Sequence, residues 1–334
     1  MRRILTIDGG GIKGVFPAAF LAALERQLGR PVAEHFDLIA GTSTGGIIAL
    51  GLGLGLSAQE VLDLYKVYGK RIFPRRRWSG WRRLVRAKYS YLPLRQALVT
   101  VFGNRRLGDS RKRLLIPSLN LAAERVHIYK TSHHPSLVHD YKMPVVEVAL
   151  ATVAAPTYFP IHLSPEGLPY IDGSLWARNP MALALVEAIG VLDWPRHEIE
   201  VLSLGCTSEP LNVSWQKRVS LGASYWGARI AEVFMKAQSS SAIATAHALV
   251  GEHNVVRISP RVEEGHFALD GVENIPALEA LGNVEAENYF PCLAESFFSA
   301  PVERFEPSHR LEDWDAAVAA SARPQSEPEL AIAS

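Results

Sequence analysis

The sequence predicts an α/β fold in which a mostly parallel sheet is covered by helices on both faces. Strand-like and helix-like segments alternate from Arg3 to Tyr68, and glycine-rich turns at residues 8–14 and 41–46 join strands to helices. Such alternation is typical of parallel sheets, because a crossover to the next parallel strand needs a helix that packs on the sheet.

Helix and strand boundaries follow from turn residues as well as from apolar spacing. Arg3–Ile7 is a short apolar strand, Pro17 is placed to begin a helix, and Gly29 is placed to end it. Ser57 and Glu60 predict a capping box at the start of another helix. Further strands are expected at 36–40, 114–120, 125–129, 169–174, 200–205 and 255–258, and further helices from Ile47 and at 144–154, 181–189, 219–250 and 276–299.

Length, charge and cysteine content limit the possible functions. The chain has 334 residues and a formal net charge of +1, so as a whole it is neither a basic nucleic-acid binder nor an acidic protein. Its two cysteines, Cys206 and Cys292, predict no disulfide framework and fit a reducing cytosol. No signal-peptide pattern precedes the first strand, so a cytoplasmic protein is expected. Residues 1–305 are expected to form one domain, with 215–300 mostly helical and disorder in 310–334 after a last helical turn or two.

The turn Gly41-Thr42-Ser43-Thr44-Gly45 lies between an apolar strand and an apolar helix. In this setting Gly-x-Ser-x-Gly makes a tight turn, because Gly41 and Gly45 tolerate close backbone approach and the Ser43 hydroxyl is pushed out at the apex. The free N–H groups at the start of the helix point at whatever binds there. The turn therefore predicts a serine hydrolase with Ser43 as nucleophile, and the alternative is a loop that only caps a helix.

A serine nucleophile needs hydrogen-bond donors for the oxyanion that forms when it attacks. The loop Gly9-Gly10-Gly11 is the predicted source, because three residues without side chains let backbone N–H groups converge on a small anion. The competing interpretation is nucleotide binding, since Gly9, Gly11 and Gly14 satisfy G-x-G-x-x-G. That pattern also needs an acid at the end of the second strand, and the nearest one, Asp37, lies at the start of its strand instead.

The serine also needs a base, and histidine is the usual one. None of the eleven histidines lies in a sequence context that indicates a catalytic base. Asp172, in contrast, ends an apolar strand and should reach the same edge of the sheet as Ser43. An aspartate can act as base only in a dry pocket, at hydrogen-bond distance from the serine. The alternative is a strand-end aspartate that makes a turn. No Cys/His cluster has the spacing of a metal site, so no metal is expected.

Residues 70–113 are strongly basic: they hold fifteen lysines and arginines, and Asp109 is their only acid. Cations at this density need anions, and three sources are open: acids elsewhere in the fold, anionic lipid headgroups, or the phosphates of a bound nucleotide. We predict a lid-like insertion that contacts a membrane surface and inserts its tryptophans at the interface. The residues predicted to contact lipid or ligand are Arg75, Arg76, Arg77, Trp78, Trp81, Arg82 and Arg83.

Three stretches together resemble the patatin-like phospholipases: Asp8-Gly-Gly-Gly-Ile-Lys-Gly14, Gly41-Thr-Ser-Thr-Gly45 and Asp172-Gly173, in that order and spacing. The stretch Ala154-Ala-Pro-Thr-Tyr-Phe-Pro160 is also similar to the one that precedes the aspartate in that family. The resemblance covers about residues 3–205.

The resemblance implies a three-layer α/β/α sandwich and a catalytic Ser–Asp dyad without histidine. Ser43 would be the nucleophile, Asp172 the base, and the Gly9–Gly11 loop the oxyanion hole. The family's usual third motif is Asp-Gly-Gly or Asp-Gly-Ala, and this chain departs from it by the hydroxyl of Ser174.

More narrowly, Tyr170 to Pro180 is similar to bacterial patatin-like effectors of cyclic-oligonucleotide antiphage (CBASS) systems. That resemblance implies degradation of membrane phospholipid at the inner face of the membrane once a cyclic di- or trinucleotide binds. No other cofactor and no DNA or RNA partner are expected, and a homo-oligomer is left open. Two rival hypotheses are an unregulated lipase or esterase on soluble esters, and a regulatory protein that binds a nucleotide at Gly9–Gly14 without hydrolysis.

Overall fold

The computed structural model describes residues 1–74, 86–210, 223–263 and 265–321. Within these residues eight strands form one sheet and helices cover both of its faces, which confirms the predicted α/β class. The strands are β1 (Arg2–Ile7), β2 (Leu38–Gly41), β3 (Arg113–Asn120), β4 (Arg125–Lys130), β5 (His162–Leu163), β6 (Pro169–Asp172), β7 (Ile199–Leu204) and β8 (Val255–Ile258).

The helices that the sequence predicts up to Ile72 begin and end close to the predicted positions. Gly29 ends the first one in a left-handed conformation with φ +67°, and a capping box at Ser57 begins the third. No helix within the described residues combines the length and the apolar character that crossing a bilayer requires. The helices are α1 (Val15–Leu28), α2 (Thr44–Gly53), α3 (Ala58–Ile72), α4 (Leu92–Phe102), α5 (Val145–Val153), α6 (Ser174–Ala177), α7 (Met181–Gly190), α8 (Ala223–Val250), α9 (Ile275–Ser296) and α10 (Leu311–Ser321).

The sheet is mostly parallel, as predicted. Strands β8, β7, β1, β2 and β3 run parallel to one another, in that order across the sheet. Strands β4 and β6 each pair antiparallel with β3, and β5 pairs antiparallel with β6. Because β1 and β2 are parallel neighbours, the turns that follow them leave the same edge of the sheet side by side.

Apolar side chains alternate along the parallel strands and build one core on each face of the sheet. Leu5 and Ile7 of β1 belong to the core under α1 to α5 and α9. Ile4, whose side chain points to the opposite face of the sheet, belongs to the core under α7 and α8. Each fully buried side chain of this size stabilises the fold by about 1.5–3 kcal/mol. The protein is therefore a three-layer α/β/α sandwich.

The position of β6 determines how the candidate site is assembled. Leu115 of β3 pairs with Ala40 of β2 on one side and with β4 on the other. Further along β3, Ser118 still pairs with β4, but its partner on the other side is Asp172 of β6. Strands β2 and β6 therefore lie against the same side of β3 and run towards each other, and their ends face across a gap at Pro117.

The direction of β6 differs from the one on which the prediction of a contact between Ser43 and Asp172 was based. The sequence predicts that both follow strands ending at one edge of the sheet. In the structure β6 is antiparallel to β3 and hence to β2, so Asp172 arrives from the opposite direction. Strands β2 and β6 therefore meet end to end, which brings Ser43 and Asp172 together.

The lid-like insertion predicted at 70–113 includes residues outside the described part of the chain, and the part that is described contributes to the sandwich itself. The first residues of this stretch end α3 and the last begin β3. Between these elements α4 buries Leu94, Leu98 and Phe102 in the core. At least this helix is an integral part of the sandwich.

Several cations of the basic segment pair with acids elsewhere in the fold, which is the first of the three anion sources considered. The pairs are Lys88–Asp270, Arg95–Glu147 and Arg106–Asp315. The residues predicted to contact lipid lie outside the described residues, so their role stays a prediction; they are Arg75, Arg76, Arg77, Trp78, Trp81, Arg82 and Arg83.

The C-terminal part is helical further than predicted. Helix α10 occupies the start of 310–334, where the sequence predicts disorder after a helical turn or two. Arg106 donates to Asp315 on this helix (2.8 Å), and the Lys142 ammonium lies 3.6 Å from the centre of the Trp314 ring. These contacts hold the helix against the domain, and composition gives no sign of such a docking surface.

Helix α9 packs on α1 at Gly282, where a methyl group would lie 2.8 Å from Ala19 Cβ and 2.7 Å from the Phe16 carbonyl oxygen. We expect Gly282→Ala to lower the free energy of unfolding by about 1–3 kcal/mol, because the two helices must separate to admit it. The control is Gly190→Ala at the end of α7, where a methyl group meets no atom within 4 Å. Its effect should stay within about 0.5 kcal/mol. Urea unfolding compares the two, and equal losses would contradict the packing argument.

Candidate active site

Ser43 sits on a tight turn between β2 and α2. Its backbone angles are φ +54° and ψ −121°, a conformation that residues with side chains rarely adopt and that costs about 1–3 kcal/mol. A side chain at Gly41 would lie 2.1 Å from the Gly45 carbonyl oxygen, and one at Gly45 would lie 2.3 Å from that of Ile7. The glycines therefore permit the close approach of β2 and α2 that presents the Ser43 hydroxyl.

Thr152, near the end of α5, holds this turn in place. The Ser43 N–H donates to Thr152 Oγ1 (3.0 Å), and the Thr152 hydroxyl donates to the Pro117 carbonyl oxygen (2.6 Å). Thr152 is fully buried, so both hydrogen bonds are sheltered from water. Nothing in the sequence marks this residue, because a threonine in an apolar helix gives no sign of what it faces.

The structure brings Ser43 and Asp172 into direct contact. Ser43 Oγ donates a hydrogen bond of 2.6 Å to Asp172 Oδ2, and the Ser174 N–H donates to Oδ1 at 2.7 Å. Ser43 is 7% exposed and Asp172 is 3% exposed, so the pair lies out of bulk water. Within the described part of the chain, no histidine hydrogen-bonds to either side chain.

Burial raises the pKa of Asp172 to about 6, because the charged carboxylate loses its water. Hydrogen bonds from Ser43 and Ser174 and the charge of Arg178 act in the opposite direction. The carboxylate is therefore ionised at neutral pH and is more basic than an ordinary aspartate. Ser174, where the chain departs from the usual family motif, supports the carboxylate and leaves its contact with Ser43 intact.

The glycine loop lies against Ser43. A side chain at Gly9 would come within 3.3 Å of Ser43 Cβ and 2.2 Å of Ser174 Oγ, so this approach requires glycine. The Gly9 N–H donates to the Arg178 carbonyl oxygen (2.9 Å), and Arg178 Nε donates to the Gly9 carbonyl oxygen (3.2 Å). This corrects the prediction for Gly9, because its N–H anchors the loop and is not free to bind an oxyanion.

Three backbone N–H groups, two in the glycine loop and one at the start of α2, remain available as donors in the described part of the chain. Among the described residues, the N–H groups of Gly10 and Gly11 have no hydrogen-bond partner. The same holds for the N–H group of Thr44, which follows Ser43 and begins α2. The positive end of the α2 dipole lies at the same place. The site can therefore take a proton from a serine hydroxyl and offer donors to negative charge beside it.

Two ion pairs fix the ends of the glycine loop. Asp8 accepts hydrogen bonds of 2.8 and 2.5 Å from the two terminal nitrogens of Arg257 on β8. Lys13 pairs with Glu209 at 3.0 Å. Sequence reasoning missed Arg257 and Glu209, because the chain after Gly205 carries no motif and these partners are distant in sequence from the loop.

The raised pKa of Asp172 makes stability depend on pH. An unfolded aspartate has a pKa of about 3.9, so between about pH 4 and 6 the folded protein holds a proton that the unfolded chain has lost. Stability therefore falls as pH rises through this window. We expect Asp172→Asn, which removes the buried charge, to raise the melting temperature at about pH 8 and to have little effect near pH 4. Thermal melts across pH measure this, and a difference independent of pH would show an ordinary pKa.

Comparison with known proteins gives one family. The family model described as "Patatin-like phospholipase" matches residues 5–185. A cGAMP-activated phospholipase of Pseudomonas aeruginosa is 38% identical over 245 residues, which cover 71% of this chain and 72% of that protein. A protein of the same name from Escherichia coli is 35% identical over 228 residues, which cover 64% of each chain. Among solved structures, VipD from Legionella pneumophila is 13% identical, with a TM-score of 0.45 over 87% of this chain and 67% of its own.

The matched region runs from β1 past β6, so it contains the turn that carries Ser43 as well as Asp172. It spans more than half of the chain. The chain therefore belongs to the patatin-like phospholipase family, whose members are lipid acyl hydrolases of the serine type.

Proposed function

We propose that the protein hydrolyses acyl esters of membrane phospholipids, with Ser43 as nucleophile and Asp172 as base, and that a cyclic nucleotide activates it. One observation carries the catalytic part: the 2.6 Å hydrogen bond from Ser43 Oγ to a buried carboxylate. A serine hydroxyl is a weak nucleophile until a base accepts its proton, and Asp172 is the base in contact with it.

In the first step Ser43 Oγ attacks the ester carbonyl carbon while its proton passes to Asp172. Negative charge collects on the former carbonyl oxygen, to which the N–H groups of Gly10, Gly11 and Thr44 donate. The bond to the lysophospholipid oxygen then breaks, and that oxygen takes the proton from Asp172. The acyl group remains as an ester on Ser43.

In the second step water attacks the acyl ester while Asp172 accepts a proton from it. The same donors stabilise the second oxyanion. The bond to Ser43 Oγ breaks, Ser43 recovers a proton from Asp172, and the fatty acid leaves. Each proton that Asp172 accepts is returned within the same step, so the enzyme ends in its starting state.

The environment of Asp172 explains how an aspartate can serve where histidine is usual. A general base is most effective when its pKa lies near the working pH. Burial raises the pKa of Asp172 to about 6, which is nearer to neutrality than that of an exposed aspartate. The carboxylate is still mostly ionised at pH 7, so it is present in the form that accepts protons.

The proposal extends to regulation because the relatives from Pseudomonas aeruginosa and Escherichia coli are both named cGAMP-activated phospholipases. The proposed activator is a cyclic di- or trinucleotide, and the proposed setting is antiphage defence at the cytoplasmic face of a bacterial membrane. Residues 1–305 are proposed to act as one catalytic domain.

The test is fatty-acid release from vesicles of phosphatidylethanolamine and phosphatidylglycerol, with and without a panel of cyclic di- and trinucleotides that includes cGAMP. Release should require a nucleotide and should fall at least about a thousandfold in Ser43→Ala and in Asp172→Asn. Circular dichroism and melting temperature control for folding. Hydrolysis without any nucleotide would leave an unregulated esterase, and hydrolysis that survives Ser43→Ala would overturn the dyad.

Thr152→Val removes the hydroxyl that joins the Ser43 N–H to the Pro117 carbonyl and keeps a side chain of similar shape. We expect kcat to fall by about tenfold to a hundredfold with KM little changed, because the nucleophile loses its fixed direction while lipid contacts remain. Thr152→Ser keeps the hydroxyl and should retain most of the activity. Equal losses in the two variants would assign the effect to packing of the methyl group instead.

A further inference from the structure

Four large apolar side chains stand exposed where α4 begins and where β5 lies. Tyr91 and Leu92 are 42% and 55% exposed, and Ile161 and Leu163 are 52% and 63% exposed. Single apolar residues on a surface are ordinary, whereas a contiguous group marks an interaction site. These four side chains are called the apolar rim.

The apolar rim is contiguous because its members border the same depressions. Tyr91, Ile161 and Leu163 line a cavity of about 140 Å³, together with buried apolar side chains of α4 and α5. Tyr91 and Leu92 line the adjoining groove, and Pro160 lines both. The four apolar side chains therefore stand around adjoining depressions between α4 and β5, whose lining also includes Arg95 and His162.

The apolar rim lies close to the proposed base. Val153 and Ala154 line the same cavity, and the Ala154 carbonyl oxygen accepts a hydrogen bond of 3.1 Å from the Asp172 N–H. Strand β5 pairs with β6, which ends at Asp172. A molecule bound at the apolar rim is therefore separated from Ser43 and Asp172 by little more than the end of α5 and one strand of the sheet.

The charges around the rim suit a phospholipid surface. Glu147 is 8% exposed and pairs with Arg95 at 2.7 Å, so this acid does not present free negative charge to a lipid phosphate. Arg86, in the adjoining groove, is exposed and makes no ion pair within the described part of the chain. Tyr91 has an apolar ring and a polar tip, a combination suited to the boundary between headgroups and acyl chains.

We propose that the apolar rim docks the protein on the phospholipid bilayer, with its side chains inserted among the lipids beside the site. The inference rests on the proposed function, since the bilayer holds the proposed substrate. Docking buries the apolar side chains of the rim in the bilayer. It also lets a lipid acyl chain reach Ser43 without being exposed to water, so the apolar surface of protein and lipid both stay out of water.

The test is Ile161→Ser combined with Leu163→Ser, made in a Ser43→Ala background so that lipid is not consumed. Co-sedimentation with vesicles of phosphatidylethanolamine and phosphatidylglycerol should show binding at least about tenfold weaker than in the Ser43→Ala parent. Because Ser43 is absent from both proteins, this result does not depend on whether the dyad assignment holds.

The matched control combines Val186→Ser with Val284→Ser on α7 and α9, where the side chains are 59% and 52% exposed. This pair removes similar apolar surface outside the rim and should leave vesicle binding unchanged. Tyr91→Ser with Leu92→Ser changes the α4 side of the rim and should weaken binding as the β5 pair does. It also keeps the proposal testable if the β5 pair does not fold.

With Ser43 intact and cGAMP present, the β5 pair should lose vesicle hydrolysis at least about tenfold and should hydrolyse a soluble short-chain ester within about twofold of the unchanged protein. Unchanged vesicle binding, or equal losses on both substrates, would overturn the proposal. A shift in oligomeric state with unchanged vesicle binding would assign the rim to contact between copies. Binding of the parent that disappears with added salt would assign docking to charge and not to the rim.

Discussion

The hydrogen bond from Thr152 to the Pro117 carbonyl is the interaction on which the geometry of the site depends. Strand β2 pairs with β3 before Pro117 and β6 pairs with it after, so this carbonyl faces a gap in the sheet. An unpaired buried carbonyl costs about 1–3 kcal/mol, and Thr152 satisfies it at 2.6 Å. The N–H and C=O of an extended residue point to the same side, and proline has no N–H, so no donor is left unpaired in the gap. Thr152, fixed in this way, accepts a hydrogen bond from the Ser43 N–H and so holds the backbone that presents the Ser43 side chain.

Two unfavourable features meet across this gap, the positive φ of Ser43 and the buried charge of Asp172. Each persists because the surrounding packing allows no alternative. Gly173 lies so close to β3 that a side chain there would be 2.3 Å from the Pro117 carbonyl oxygen, and Gly9 presses on Ser43 in the same way. Moving the aspartate towards water would break the pairing of β6 with β3. The cost of burying the carboxylate is therefore built into the fold, and it is the same burial that makes Asp172 basic enough for its proposed role.

The sequence was sufficient for those features that depend on local chemistry. A strand, a turn with two glycines and a helix are enough to place Ser43, and an apolar strand before an acid is enough to single out Asp172. Strand direction is not local, because four apolar residues are compatible with either direction, so β6 was expected to run parallel. The glycine pattern shows that backbone can approach an anion, but which N–H is free depends on Arg178, far along the chain. Sequence analysis does not predict helix α4. Its buried residues Leu94, Leu98 and Phe102 recur at intervals of four, but the many basic residues around them obscure this spacing.

The short segment of residues 86–91, which leads into α4, connects two parts of the site: the region of the glycine loop and the stretch that leads to Asp172. The Lys88 N–H donates to the Thr157 carbonyl oxygen (2.8 Å), in the stretch that leads to β6, and its ammonium group pairs with Asp270. Next to Asp270, the Leu269 carbonyl oxygen accepts the Ile12 N–H of the glycine loop (2.8 Å). A displacement of this segment would therefore change the contacts of the glycine loop and those of the stretch before Asp172 together. The apolar rim begins at Tyr91, three residues after Lys88. A bilayer docked on the rim would therefore adjoin a segment that hydrogen bonds and an ion pair connect both to the region of the glycine loop and to the stretch before Asp172.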